Sequence, residues 1–279
     1  MSREAVVVGS GLGGLAWAAA RARAGVPVTG FEQHDEPGGY ATSFTRDGFE
    51  HEVSLHVLDA VGPGEPNHAL LQQLDIAHRL ELLEAPSVRR EIWPAEGLDL
   101  WLPPELEDLL VYLTELAPVD GPGVRALFDL ASRVHARCYD AVDAGRLNLD
   151  RGSRDIHALL DRTAREVIDE HVADPRLRRL LGTLANYQGL PASRIAALPF
   201  LLMLWGYHGC SALYPKGGSR ALTAALVASI EEHGGTVRCG VGVARIDARR
   251  GRVRGVELED GTRADARWVV SNASPLTTF

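Results

Sequence analysis

Three glycines and one acid carry the first chemistry legible in this chain. Glu4-Ala-Val-Val-Val is an apolar strand that runs into Gly9-Ser-Gly11-Leu12-Gly13-Gly14 and then into an alanine-rich helix. A second apolar run, Val26 to Phe31, ends in Glu32. Strand, tight turn, helix, strand and acid in this order form a binding site for an adenine dinucleotide. Gly9 permits the turn, Gly11 leaves the backbone open to a pyrophosphate, and Gly14 lets the helix pack close to the strand. The N–H groups and positive dipole end of the helix attract the phosphates. Glu32 accepts hydrogen bonds from a ribose diol and repels a 2′-phosphate. A glycine-rich turn without a ligand explains the glycines but not the acid.

Glu32 is followed by Gln33-His-Asp-Glu-Pro-Gly38-Gly39-Tyr40. The glycine pair lets the chain double back near the pyrophosphate, a device that ordinary NAD dehydrogenases do not need. Large flavoproteins commonly read Gly-Gly-Arg here; with Tyr40 in third place an arginine contact to phosphate is missing. Taken alone, the pair is read equally well as a turn of no chemical consequence. The far end of the chain decides between the two. Residues 234–273 read as a strand, a short meander turning at Asp260-Gly261, and a returning apolar strand ending at Ser271. This order resembles the FAD-binding half of the large flavoprotein oxidoreductases. There a strand like the one around Val243 runs beside the adenine, and the returning strand ends near the dinucleotide, here at Asn272 and Ala273.

Two further motifs make the resemblance specific. Tyr214-Pro-Lys216-Gly217-Gly218-Ser219, followed by a helix over Arg220–His233, and Asp47-Gly-Phe-Glu-His-Glu-Val-Ser-Leu-His56 resemble signatures of the phytoene desaturase, carotenoid isomerase and retinol saturase group. The resemblance covers residues 4–60 and 205–275 well, and the middle in general character. It implies FAD, held by Gly9, Gly11, Leu12, Gly13, Gly14, Glu32, Gln33, Gly38, Gly39, Tyr40, Val243, Asn272 and Ala273. It also implies an apolar isoprenoid or polyene substrate and hydride transfer to or from flavin N5. His56, Tyr214 and Lys216 are the candidates near the ring. Lys216 is the only lysine of the chain; it reads either as a solvated turn lysine or as a compact cation near the flavin. Relatives of this kind are far longer and end in a last flavin-binding motif. The chain is therefore expected to be the N-terminal part of a family member, with a second chain as one source of the missing C-terminal half.

The elements that must position these residues define an α/β fold. A Rossmann-like FAD-binding domain of the glutathione-reductase type is expected from residues 1–60 and 211–279. A largely helical substrate cap is expected over 61–210. Within the cap, Asn67–Leu74, Pro103–Leu116, Gly123–Ala144, Ile156–Val172 and Arg176–Tyr187 read as helices. Leu80–Leu83, Arg89–Trp93 and Leu98–Leu102 read as strands of a meander. Ile195–Trp205 is apolar on every face and too short to span a bilayer. It is read as a buried helix under the flavin or as the wall of a substrate channel opening at a membrane surface, with Pro199 marking a kink or a helix start. Ser274 and Pro275 read as the cap and first position of a final helix.

The 279 residues suffice for about two domains. A net charge of −8 without a basic run speaks against nucleic acid. Cys138, Cys210 and Cys239 lie far apart, so neither a disulfide framework nor a metal site is expected. Met1-Ser-Arg-Glu leads directly into the first strand, so no signal peptide is expected and the cytoplasm is the expected compartment, with peripheral membrane contact left open. No second GxGxxG follows, so electrons come from or go to an external partner. Two rival readings stay open: an amine oxidase-like flavoenzyme, and a non-catalytic nucleotide-binding fragment or subunit.

Overall fold

The strand Ala5–Val8 pairs in parallel with Val28–Phe31 on one side and with Trp268–Ser271 on the other, Ala5 opposite Val28 and Trp268. Thr236–Arg238 extends the sheet beyond Val28–Phe31, again in parallel. Strands from the two ends of the chain thus form one four-stranded parallel sheet. Ala5 and Val6 are fully buried and Val28 and Phe31 nearly so, as expected for strands covered on both faces. The computed structural model describes residues 4–84, 87, 89–143 and 154–279.

The chain divides into two compact units. The first comprises Met1–Leu58, Asn67–Leu83 and Tyr214–Phe279; the second comprises Asp59–Pro66 and Glu84–Leu213. Residues 67–83, expected in the cap, belong to the nucleotide-binding unit. The reason is a set of ties to its helices. Arg79 forms a bidentate pair with Glu232, with Nη1 2.9 Å from Oε1. Ser229 Oγ donates to the Leu74 carbonyl at 2.7 Å.

In the first unit the helices Leu12–Arg23 and Gly218–Glu232 pack against each other. Val243–Arg249, Arg252–Leu258 and Arg263–Asp265 form an antiparallel meander. The first strand expected within residues 234–273 is two: Gly240, at φ +69°, turns the chain between Thr236–Arg238 and Val243–Arg249. Ser43–Arg46 and Phe49–Glu52 form a hairpin.

The second unit is mainly helical. Leu106–Leu116, Gly121–Asp143, Ala164–His171, Pro175–Gly182 and Ala197–His208 surround a core that includes Leu113, Leu127, Phe128, Ile168, Leu184 and Phe200. The helix expected over Ile156–Val172 is two, Arg154–His157 and Ala164–His171. A capping box starts the second: the Glu166 N–H donates to Thr163 Oγ1, and the Thr163 N–H to the Glu166 carboxylate. The helix expected over Arg176–Tyr187 ends at Gly182 and tightens into a 3₁₀ turn. Pro199 lies in the first turn of Ala197–His208, where its missing N–H costs little. Arg89–Trp93 and Leu98–Leu102 pair as a hairpin without Leu82–Glu84.

Candidate dinucleotide-binding site

The turn after the first strand is shaped by its glycines. Gly9 sits at φ +86°, and its N–H donates to the Phe31 carbonyl at 2.8 Å. Gly11 begins the helix Leu12–Arg23 without a side-chain cap, and no acid lies in the first turn. The first N–H groups of a helix have no intrahelical acceptor, so this end offers donors and a positive dipole. A Cβ on Gly14 would lie 2.4 Å from the Gly9 carbonyl oxygen and 3.2 Å from Val7 Cγ1. Gly14 therefore serves packing. A Cβ on Gly11 or Gly13 would instead meet the Asn272 amide, at 2.6 Å and 2.9 Å. That amide is the movable end of an exposed side chain, so these two glycines keep the backbone approachable.

The Gly38-Gly39 pair is part of the same cradle. Gly38 donates its N–H to the Ser10 carbonyl at 2.9 Å. At φ +127° it has no room for a side chain, since a Cβ would lie 2.3 Å from the Ala41 carbonyl oxygen and 2.9 Å from Thr223 Cγ2. A Cβ on Gly39 would lie 3.2 Å from Gly11 Cα.

Glu32 is 5 % exposed at the end of the second strand. Its Oε2 accepts from the Ser10 N–H at 2.8 Å and from the Ser10 hydroxyl at 2.7 Å; its Oε1 accepts from the His34 N–H at 3.0 Å. Burial pushes its pKa up, but the hydrogen bonds from His34 and Ser10 outweigh burial and hold it below the usual carboxylate value. A carboxylate oxygen accepts two hydrogen bonds, so Oε1 keeps capacity for a ribose hydroxyl. Ser10 itself was not singled out from the sequence, where it reads only as the middle of Gly-Ser-Gly.

The remaining cofactor candidates fall in different places. Asn272 donates its N–H to the Val8 carbonyl at 2.8 Å and lies over Gly11 and Gly13. Ala273 is exposed beside it, and Leu12 is exposed at the helix start. Gln33 is exposed and reaches His34, and Tyr40 is 84 % exposed. Val243 is half-buried against a cluster of Val6, Phe31, Val256, Leu258 and Ala266, so it packs the core.

The Tyr214–Ser219 signature is organised by a residue that sequence reasoning missed, Glu52. Its Oε1 accepts from the Ser219 N–H at 2.8 Å and from the Tyr214 hydroxyl at 3.2 Å, while the Ser219 hydroxyl donates to Oε2. A Cβ on Gly218, at φ +66°, would lie 1.8 Å from Glu52 Oε1. The acid thus supplies the cap that Gly217 lacks. Burial first, and then the Glu52 charge, raise the Tyr214 pKa and keep it a donor. Lys216 forms an exposed pair with Glu81, 3.0 and 2.9 Å to its two oxygens. His56 is exposed. The only available signal for Glu52 was its place inside the Asp47–His56 motif.

A parallel sheet, a glycine turn at a helix start and an acid closing the second strand define a Rossmann-like dinucleotide-binding protein. The family model described as an NAD(P)-binding Rossmann-like domain matches residues 7–74. Along almost its whole length the chain is similar to two desaturases. It is 31 % identical to the hydroxyneurosporene desaturase of Cereibacter sphaeroides, over 98 % of this chain and 56 % of that protein. It is 30 % identical to the lycopene-forming phytoene desaturase of a Paracoccus species, over 100 % of this chain and 56 % of that protein. The chain spans little more than half the length of these relatives. In fold it is similar to an oxidoreductase from Methanosarcina mazei (TM-score 0.62, 21 % identity, 96 % of this chain and 58 % of that one). It is likewise similar to a cyclohexylamine oxidase from Brevibacterium oxydans (TM-score 0.64, 19 % identity, 99 % and 59 %).

Proposed function

We propose that these residues form the dinucleotide-binding part and a helical unit of an FAD-dependent oxidoreductase that acts on an apolar polyene. The similarity to two polyene desaturases along the whole chain carries this reading. The cradle fits the group: Gly11 and Gly39 approach each other so closely that a side chain on Gly39 would touch Gly11, and the uncapped helix start offers donors to a pyrophosphate. When bound, FAD would supply hydride acceptance or donation at N5. The first-turn N–H groups would hold the phosphates, with the Asn272 amide beside them. Glu32 would hold the ribose through Oε1. Of the residues expected near the ring, Tyr214 and Lys216 engage Glu52 and Glu81. This supports a positioning role for Tyr214 and a surface pair for Lys216.

The part of the relatives' length without counterpart in these 279 residues would complete the flavin enclosure, on the same or a second polypeptide. An external donor or acceptor would exchange electrons with the flavin. Among the described residues no helix is long and apolar enough to cross a membrane; peripheral contact at a lipid surface would suit delivery of an apolar substrate. The test is the visible spectrum of the purified protein, where oxidised flavin absorbs near ~450 nm, followed by a product assay on a polyene panel. Turnover of cyclohexylamine with the polyenes inert would replace this reading by the amine oxidase one. Absence of flavin binding would leave the non-catalytic reading.

A further inference from the structure

A pocket of about 530 Å³ lies wholly within the second unit, a size that suits a small-molecule ligand. Pro199, Leu202 and Met203 from the helix Ala197–His208 give it an apolar side; Asp59, His135 and Tyr207 are among its polar wall residues. Met203 and Tyr207 stand one turn apart and so share a helix face.

His135 is the informative member of this wall. It is 7 % exposed, and its ring lies 4.4 Å from that of Tyr139. Its Nε2 touches Cys210 Sγ at 3.9 Å, a contact with a weak sulfur partner. Glu65, whose charge also bears on His135, is occupied elsewhere: it accepts from the Gly62 N–H at 2.6 Å, from the Ser211 N–H at 2.8 Å and from the Ser211 hydroxyl. Burial lowers the His135 pKa against the pull of Asp59 and Glu65, so the imidazole is neutral at pH 7. A neutral imidazole offers one donor and one acceptor. Burial pushes the Tyr207 hydroxyl up to about 12, with Tyr187 and Asp59 adding to it, so it too stays protonated. A pure hydrocarbon filling this pocket would strip water from these groups and return nothing, which is unfavourable.

We propose that the pocket binds an extended apolar molecule carrying one oxygen function, a hydroxyl or ketone, and that His135 hydrogen-bonds that oxygen. This rests on the reading of the chain as part of an oxidoreductase for apolar polyenes and narrows its substrate class to oxygenated ones. The test is direct binding to the full chain, followed by intrinsic tryptophan fluorescence, with farnesol and the hydrocarbon farnesene as probes. Farnesol is expected to bind about five- to tenfold more tightly, the equivalent of one net hydrogen bond. The preference is expected to vanish in His135→Phe and to survive in His135→Gln, which keeps a donor and an acceptor. Met203→Trp, which fills the pocket, is expected to abolish binding of both. Equal affinities, no binding of either probe, a preference that survives His135→Phe, or binding unaffected by Met203→Trp would each overturn the proposal. Flavin content measured on the same samples tests the oxidoreductase reading separately, so either can fail alone.

Discussion

The Glu52 carboxylate accepts the Ser219 backbone N–H at 2.8 Å across 167 positions of sequence. One motif caps the helix that begins in the other. The hairpin ending in Glu52 is held a second time by Arg220, whose Nη1 lies 3.2 Å from Glu50 Oε1. The helix then reaches the cradle, because Thr223 closes the space over Gly38.

Glu52→Ala is expected to destabilise the protein by about 1–3 kcal/mol, since the Ser219 N–H and Tyr214 hydroxyl lose their acceptor. Gly218→Ala is expected to cost more than Gly217→Ala. Both need positive φ, but only the Gly218 Cβ would run into Glu52, whereas that of Gly217 would meet Ala221 Cβ at 3.3 Å. Urea denaturation of the three variants checks the order.

Gly11→Val and Gly14→Ala are expected to fail differently. At Gly14 the obstacle is the Gly9 carbonyl, fixed backbone, so the fold itself loses stability. At Gly11 it is the movable Asn272 amide, so the melting temperature falls less while dinucleotide affinity collapses. Thermal melts paired with FAD titration separate the two.

Glu32→Gln is expected to weaken FAD binding and to flatten the acid limb of the stability profile. The folded pKa of Glu32 lies below its ordinary 4.5. Its contribution is therefore complete above pH 4.5 and is lost as pH falls through the folded value. Denaturation at pH 7 and pH 3 should show a smaller loss in the variant than in wild type.

His208 gives a pH dependence from the second unit. It is 4 % exposed, and burial, followed by the nearby Arg89 charge, lowers its pKa to about 3. The unfolded chain therefore takes up the proton first as pH falls below 6.5, and folded stability declines from there towards about pH 3. The slope is at most about 1.4 kcal/mol per pH unit. His208→Gln should be the less stable protein at pH 7, and its deficit should shrink by pH 5. A deficit constant across that range would contradict the assignment.

Sequence alone determined what is local. The spacing Gly9-x-Gly11-x-x-Gly14, its flanking strands and the acid Glu32 are legible because a turn, a helix start and an alternation of apolar residues depend on neighbours a few positions away. The final cap at Ser274, whose Oγ accepts from the Leu276 N–H at 3.3 Å, was legible for the same reason. Tertiary structure decided the rest. The break at Gly240, the capping box at Thr163 and the assignment of residues 67–83 to the first unit depend on which competing interaction wins once elements meet. Lys216, singular by composition, pairs with Glu81 on the surface, while Glu52, unremarked in its motif, holds the helix start. Charge and hydrogen-bonding partners act over a few ångströms of space, and residues 52 and 219 become neighbours only when the chain returns from its helical unit to complete the sheet.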